Sequence, residues 1–254
     1  MTISSDTHLT GHTALVTGAS SGLGARFARV LAANGARVVI AARRADKLAA
    51  LKADIEADGG SVHAVALDVN AIEQIPSFYD QLAEAGFLPD ILVNNAGVNI
   101  TKPATEITPE DYQAVLSTNL QAPFFLATDF ARRHISAKTR ARIINIASVA
   151  GMRVLPGVAP YCMSKSGMLM MTRSLAREWA RFEINVNSIC PGYIETEIND
   201  YWWQSEGGQK QIQSFPRRRL ARQEDLDGAL LLLAGPQGEG MTGTSITVDD
   251  GQYI

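Results

Sequence analysis

Tyr161 and Lys165 stand four residues apart, and Ser148 lies thirteen positions before the tyrosine. A free phenol has a pKa of about 10, so only roughly one in a thousand is ionised at pH 7. Acid–base chemistry at this tyrosine therefore needs a neighbour. Residues four apart on a helix share a face, with Cβ atoms about 5–6 Å apart, which lets the Lys165 ammonium lie beside the Tyr161 phenol. Lowering a pKa by about two units takes about 2.7 kcal/mol of preference for the phenolate. A unit charge at about 4 Å supplies roughly 4 kcal/mol at an effective dielectric of about 20, so one lysine is enough. Ser148, at the end of a neighbouring strand, would hydrogen-bond the substrate oxygen that the phenol protonates. Tyr–Lys pairs also occur on ordinary surface helices, and the rest of the chain has to support this one.

Positioning comes from alternating elements. From His12 onward, short β-branched runs alternate with longer helical patterns, which predicts parallel strands joined by crossover helices. The expected strands are Ala14–Thr17, Arg37–Ala41, Val62–Ala66, Ile91–Asn94, Arg142–Ala147, Asn185–Ile189 and Ser245–Val248. Helices are expected to start near Gly24, Asp46, Ala71, Pro109, Tyr161 and Gln223, with Gly35 and Gly59-Gly60 as stops. With no linker or repeat, the reading is one domain over 11–254, preceded by a polar, mobile arm over 1–10.

The first strand runs into Thr17-Gly18-Ala19-Ser20-Ser21-Gly22-Leu23-Gly24 and then a helix. Glycines there permit a tight turn and let backbone approach a pyrophosphate at the helix N-terminus, so Gly18, Ser20, Ser21, Gly22, Leu23 and Gly24 are candidate dinucleotide contacts. After the second strand, Ala42 stands where an acid would grip the 2′-hydroxyl of NAD, followed by Arg43 and Arg44. An arginine there can pair with a 2′-phosphate, so Arg43 favours NADP(H), with NAD(H) as the alternative. The competing reading of the two arginines is a solvated helix entrance. Asp68 and Val69 follow the third strand, where a carboxylate can accept from the adenine amino group. The fourth strand ends in Asn94-Asn95-Ala96-Gly97 at the expected switch point, making Asn95, Ala96 and Gly97 cofactor candidates. Asn94 has an equally good structural reading, its amide bridging neighbouring strands. Asn119 interrupts an apolar helical pattern, and Pro123 four residues on has no N–H to satisfy its carbonyl. That would kink the helix and aim the carbonyl at a water or at Lys165, the alternative being a packing kink around a satisfied core asparagine.

Composition narrows the function classes. With 254 residues, 46% of them hydrophobic, the chain can bury one large α/β core. A net charge of −3 gives no basis for general affinity to nucleic acid or anionic membrane. Cys162 and Cys190 are too few for a disulfide framework, and His8, His12, His63 and His134 show no metal-ligand pattern, so no metal is expected. No apolar run approaches the roughly 18 residues of a membrane span, and Met1–Thr10 lacks signal-peptide features. The expectation is a soluble cytoplasmic protein that binds a small carbonyl or alcohol substrate. Met168 through Met171 with Leu175, Ala176, Trp179 and Ala180, and likewise Leu120 through Ala127, give helices too apolar for one stripe. They predict a covering second subunit, hence a homotetramer or homodimer; deep burial within one subunit is the alternative.

Taken together, TGASSGLG, NNAG, Asn119, Ser148, the Tyr161/Lys165 pair and Pro191-Gly192 resemble the short-chain dehydrogenase/reductase family over nearly the whole chain. The resemblance implies a single-domain Rossmann fold, a doubly wound seven-stranded parallel sheet in the order 3-2-1-4-5-6-7 flanked by helices on both faces. It also implies a tetrad of Asn119, Ser148, Tyr161 and Lys165. The tyrosine would exchange a proton with the substrate oxygen and the serine would orient that oxygen. The lysine would hold the nicotinamide ribose and depress the tyrosine pKa, and the asparagine would support a water relay. Pro191, Gly192 and Ile194 would be cofactor contacts, and Thr196 just after them matches the position that typically holds the nicotinamide carboxamide. The ending Val248-Asp249-Asp250-Gly251 departs slightly from the family pattern. An intact tetrad favours an enzyme acting on CH–OH groups over a dinucleotide-binding regulator without turnover.

The substrate side is expected to be lined by the segments after Gly97, after Ser148 and after Gly192, with Ser148, Met152, Tyr161, Tyr193 and Trp202 as candidate contacts. The stretch 195–222, with Tyr201, Trp202, Trp203 and Gly207-Gly208, reads as a mobile lid with an aromatic wall, or as tryptophans packing the lid itself. Arg217, Arg218, Arg219 and Arg222 either receive an anionic substrate group or form a solvated surface. The pattern resembles 3-oxoacyl reductases and polyol or gluconate dehydrogenases equally.

Overall fold

The computed structural model describes residues 9–195 and 200–254. Seven strands, β1 (Thr13–Thr17), β2 (Arg37–Ala42), β3 (Ser61–Ala66), β4 (Ile91–Asn94), β5 (Ala141–Ile146), β6 (Ile184–Pro191) and β7 (Ser245–Val248), form one sheet. Its order is β3-β2-β1-β4-β5-β6-β7, and every neighbouring pair is parallel. Between them run α1 (Gly22–Ala33), α2 (Ala45–Ala57), α3 (Ile75–Glu84), α4 (Pro109–Leu116), α5 (Ala122–Ala137), α6 (Ala159–Trp179), α7 (Asp200–Trp203), α8 (Glu206–Ser214) and α9 (Asp227–Ala234). The expected doubly wound fold is therefore the one adopted.

Strand residues alternate between two cores, because successive side chains point to opposite faces. Ala14, Val16, Val38 and Ile40 join Phe27 and Leu31 of α1, Leu51 of α2 and Leu230 of α9 on one face. Leu15, Val39 and Leu92 join Phe78 of α3, Phe130 of α5 and Met168 of α6 on the other. Both faces are covered, which is why the strands read as near-continuous apolar runs.

Several boundaries differ from the expected ones. The helix expected near Ala71 starts as a 3-10 turn at Ile72–Gln74 before α3, whose first turn holds Pro76. Leu9, assigned to the mobile arm, is completely buried, and its N–H bonds the Asn34 carbonyl at 2.6 Å, so it belongs to the body of the fold. The break expected around Pro123 takes the form of a π-helical segment, Ser117–Gln121, closed by the Ala122 N–H to the Ser117 carbonyl. The proline cannot donate, and the chain inserts a residue instead of opening a gap. Two short helices, α7 and α8, occupy the stretch read as lid; a Cβ on Gly208 would overlap the Trp202 carbonyl, so this glycine permits their close packing. On α5 and α6, Met168, Leu169, Met171, Leu175, Ala176 and Trp179 are buried in the core, whereas Phe124, Phe125, Met163 and Met170 are exposed.

Candidate active site

Strand order reverses between β1 and β4, and ligands settle outside the carboxyl ends of strands at such a point. There Gly18 and Gly22 hold left-handed backbone at φ 65° and 53°, the region glycine enters without a Cβ penalty. A Cβ on Gly24 would overlap the Gly18 carbonyl and lie 2.5 Å from Asn95 Nδ2. Asn95 braces the turn by donating from Nδ2 to the Thr17 carbonyl at 2.9 Å, while the Asn95 and Ala96 N–H groups donate to Thr17 Oγ1 at 3.0 and 3.2 Å. Ser21 at the N-cap of α1 makes no side-chain cap bond, and the first turn carries no acid. The helix N-terminus thus keeps its donors and dipole for an anion, and the donor set fits a dinucleotide pyrophosphate. Arg43 is exposed. Its neighbour Arg44, which sequence reasoning did not select as a contact, reaches over the loop to Ser20 Oγ at 3.0 Å and Ser21 Oγ at 2.6 Å. Asp68 is exposed beyond β3, with Oδ1 accepting from the Asn70 N–H, and Val69 is buried.

At the ends of β4 and β5 the predicted polar residues gather. Asn119, completely buried in the π segment, accepts at Oδ1 from the Val98 N–H at 2.8 Å and donates from Nδ2 to the Val98 carbonyl at 2.9 Å and Ser164 Oγ at 3.1 Å. Lys165, on the buried side of α6, donates to the Ile146 carbonyl at 2.8 Å. Gly97 lies between them, for a Cβ there would sit 3.4 Å from Asn119 Oδ1 and 3.8 Å from Lys165 Nζ. Ser148 Oγ accepts from the Ala150 N–H at 3.1 Å and is hydrogen-bonded with the Tyr161 phenol. Asn94 takes its structural role: Nδ2 donates to Asn145 Oδ1 at 2.9 Å, and Asn145 donates to Thr172 Oγ1 at 2.9 Å, tying β4, β5 and α6 together. Of the two partners expected for the Asn119 carbonyl, a water or Lys165, the lysine is tied to the end of β5.

Burial dominates the electrostatics of the Tyr161 and Lys165 pair. Burial raises the Tyr161 phenol above its ordinary pKa, and the hydrogen bond from Ser148 offsets only part of this. The Lys165 ammonium lies 5.6 Å from the ring centroid. Its own pKa falls to about 8, because burial disfavours the charge. The influence that lowers the phenol here is the Ser148 hydroxyl, and burial outweighs it. Burial likewise pushes the nearby Cys190 thiol up to about 11.

Pro191 ends β6, and Gly192 turns tightly against the C-terminal segment, where its missing Cβ leaves room for Asp249 and Gln252. Gln252, buried, accepts at Oε1 from the Tyr193 N–H at 2.6 Å, a long-range brace that no local motif signals. Ile194 is buried and bridges to Ala221; Thr196 lies outside the described residues. Tyr193 stacks on Phe215 at 5.1 Å and meets Trp203 edge-on at 5.5 Å. Trp203 is therefore the tryptophan that packs against Tyr193. Trp202 is exposed and bonds Gln211 within the stretch read as lid. Met152 is exposed next to the Ser148 turn. Arg217 and Arg219 are both paired with Asp250, at 3.0 and 2.7 Å, and Arg222 with Asp225 at 3.1 Å, so these three have carboxylate partners within the chain.

Among the described residues no group of three or more His, Cys, Asp or Glu side chains could hold a metal, and no helix is long and apolar enough to cross a membrane. The family model described as short chain dehydrogenase matches residues 12–207. This chain belongs to that family. The dehydrogenase is 32% identical over 244 residues to a gluconate 5-dehydrogenase of Gluconobacter oxydans, covering 96% of this chain and 95% of the relative. It is 34% identical over 250 residues to a 3-oxoacyl-acyl-carrier-protein reductase of Synechocystis, with 98% and 99% covered. The crystal structure of a gluconate 5-dehydrogenase from Burkholderia cenocepacia in complex with NADP and tartrate superposes with a TM-score of 0.93, at 32% identity and 97% of each chain. The chain is an oxidoreductase of CH–OH groups, as the resemblance implied.

Proposed function

We propose that this dehydrogenase interconverts a ketone or 3-oxoacyl group and a secondary alcohol with NADP(H), and that Tyr161 is its general acid and base. The observation that carries the reading is the hydrogen-bonded Ser148–Tyr161 pair with Lys165 one turn along α6, beside Asn119 and Gly97. When bound, the nicotinamide would supply or accept the hydride. Gly18, Ser20, Ser21, Gly22, Leu23 and Gly24 would seat the pyrophosphate. Asn95, Ala96 and Gly97, with Asp68, Val69, Pro191, Gly192, Ile194 and Thr196, would hold the rest of the cofactor. Arg43 at the end of β2 would receive a 2′-phosphate; the NADP in the Burkholderia structure supports that preference over NAD.

Ser148 would hold the substrate oxygen while Tyr161 passes its phenolic proton to it. A phenol is protonated at neutral pH even at its ordinary pKa of about 10, and burial raises it further, so Tyr161 would start as the acid that reduction of a carbonyl requires. At pH 7 a lysine with a pKa of about 8 is roughly nine-tenths charged, which would let Lys165 act on the cofactor ribose. Met152, Tyr193 and the 195–222 lid would line the substrate. Tyr161→Phe tests the scheme: turnover should fall on the order of a hundredfold or more while NADPH still binds. A phenylalanine variant with normal rates would end it.

The exposed Phe124, Phe125, Met163 and Met170 on α5 and α6 support a homotetramer or homodimer. Cys162 and Cys190, both free, suit a reducing cytoplasm, which subcellular fractionation would check.

A further inference from the structure

Arg153 brings to the site a positive charge that the scheme above leaves unused. It lies five residues beyond Ser148, and its N–H bonds the Val149 carbonyl at 2.9 Å, so one turn fixes both side chains' backbone. The side chain is exposed, and Nη1 donates to the Gln252 carbonyl at 3.0 Å. Gln252 is the buried residue that also grips the Tyr193 N–H, so the guanidinium and Tyr193 hang on one post. Burial raises the Tyr193 phenol and the Arg153 charge acts against that rise, which places the two within electrostatic reach.

Several other cations on the segments expected around the substrate are already matched: Lys102 with Asp111, Arg217 and Arg219 with Asp250, Arg222 with Asp225. Arg153 has no carboxylate partner among the described residues. Its bond to a neutral carbonyl leaves the charge uncompensated and the Nε/Nη2 edge available, the edge that grips a carboxylate with two parallel bonds. Of the buried polar atoms that lack partners among the described residues, two lie on segments expected around the substrate. They are Trp203 Nε1, whose ring meets Tyr193, and Asn99 Oδ1, next to the Val98 peptide that Asn119 holds. A donor and an acceptor left so are what substrate hydroxyls would satisfy.

We infer that Arg153 is the anion clamp of the substrate subsite, so the substrate class is a hydroxy acid and its oxo acid, with a carboxylate remote from the reacting carbon. The inference rests on the proposed reaction at Tyr161 and selects the acid over a neutral polyol or alcohol. Paired probes separate the two: D-gluconate against D-sorbitol, and 3-hydroxybutyrate against its methyl ester. In each pair that reacts, the wild type should prefer the acid. Arg153→Gln should raise KM for the acid about ten- to a hundredfold, the scale of a hydrogen bond to a charged group. Its kcat, and the KM of the neutral member, should hold, and Arg153→Lys should restore part of the loss. An unchanged KM for the acid in Arg153→Gln, or an equal rise for the neutral member, overturns the clamp, the second outcome marking a merely structural arginine.

Binding is read separately by quenching of tryptophan fluorescence with gluconate in the presence of NADPH. If nothing is turned over but gluconate binds and Arg153→Gln weakens it, the reaction scheme falls and the clamp stands. If gluconate neither binds nor reacts, the clamp falls whatever the neutral probes do.

Discussion

Lys165 offers a quantitative test, because the structure buries an ammonium that a hydrophobic side chain could replace. Its pKa falls from an ordinary 10.5 to about 8, and at about 1.36 kcal/mol per pH unit the charged form costs the fold on the order of 3 kcal/mol. Lys165→Met removes that cost but leaves the Ile146 carbonyl without its 2.8 Å donor, a loss of about 1–3 kcal/mol. At pH 7 the variant should therefore be as stable as the wild type or up to about 2 kcal/mol more so. The pH dependence carries the sharper reading. Above about pH 8 the native lysine has lost its proton while the unfolded one keeps it up to 10.5, so the unfolded state binds more protons and wild-type stability rises with pH. Below about 8 both states are protonated and the full cost remains. Relative to the methionine variant, which cannot titrate there, the wild type should gain about 2 kcal/mol between pH 7 and pH 9.5. Urea unfolding of both proteins at one protein concentration and at several pH values gives this difference directly, since groups distant from Lys165 cancel and the neighbouring Cys190 thiol, at about 11, stays protonated in the fold over this range. A difference constant to within about 0.5 kcal/mol would show that Lys165 is not desolvated as the structure implies.

Arg43→Ala should weaken NADPH binding about tenfold to a hundredfold and leave NADH binding unchanged; side-by-side fluorescence titrations in which both cofactors respond equally would remove Arg43 as a phosphate contact. Gly24→Ala would drive a Cβ into the Gly18 carbonyl and Asn95, costing about 1–3 kcal/mol in denaturant unfolding and disordering the pyrophosphate seat; a variant with native stability and affinity would refute the close approach. Light scattering at micromolar concentration should return a mass two or four times 27.3 kDa, and a monomeric mass would leave the exposed Phe124, Phe125, Met163 and Met170 without a cover.

The sequence by itself carried the sheet order through a family resemblance, and the glycine turn and the Tyr161/Lys165 pair through spacing. These are local or ordered features: a tight turn demands glycine within a few residues, and a helix puts i and i+4 on one face whatever surrounds it. Two-sided burial was legible for the same reason, since both faces of the sheet must be covered. Tertiary structure alone decided what depends on residues distant in sequence. The Tyr161 phenol is raised because the packed fold buries it, a contribution that the helical spacing of Lys165 could not include. The ammonium answers to the end of β5, nineteen residues away, and Arg44 to the glycine loop, more than twenty residues back. Trp203 rather than Trp202 meets Tyr193, because neighbours on a short helix point different ways and only the packing chooses between them. Arg217 and Arg219 are matched by Asp250 and Arg153 is held by Gln252, both from the chain's last few residues. Charge in a sequence shows what could pair, but pairing requires proximity, and for residues far apart in the chain the fold supplies it.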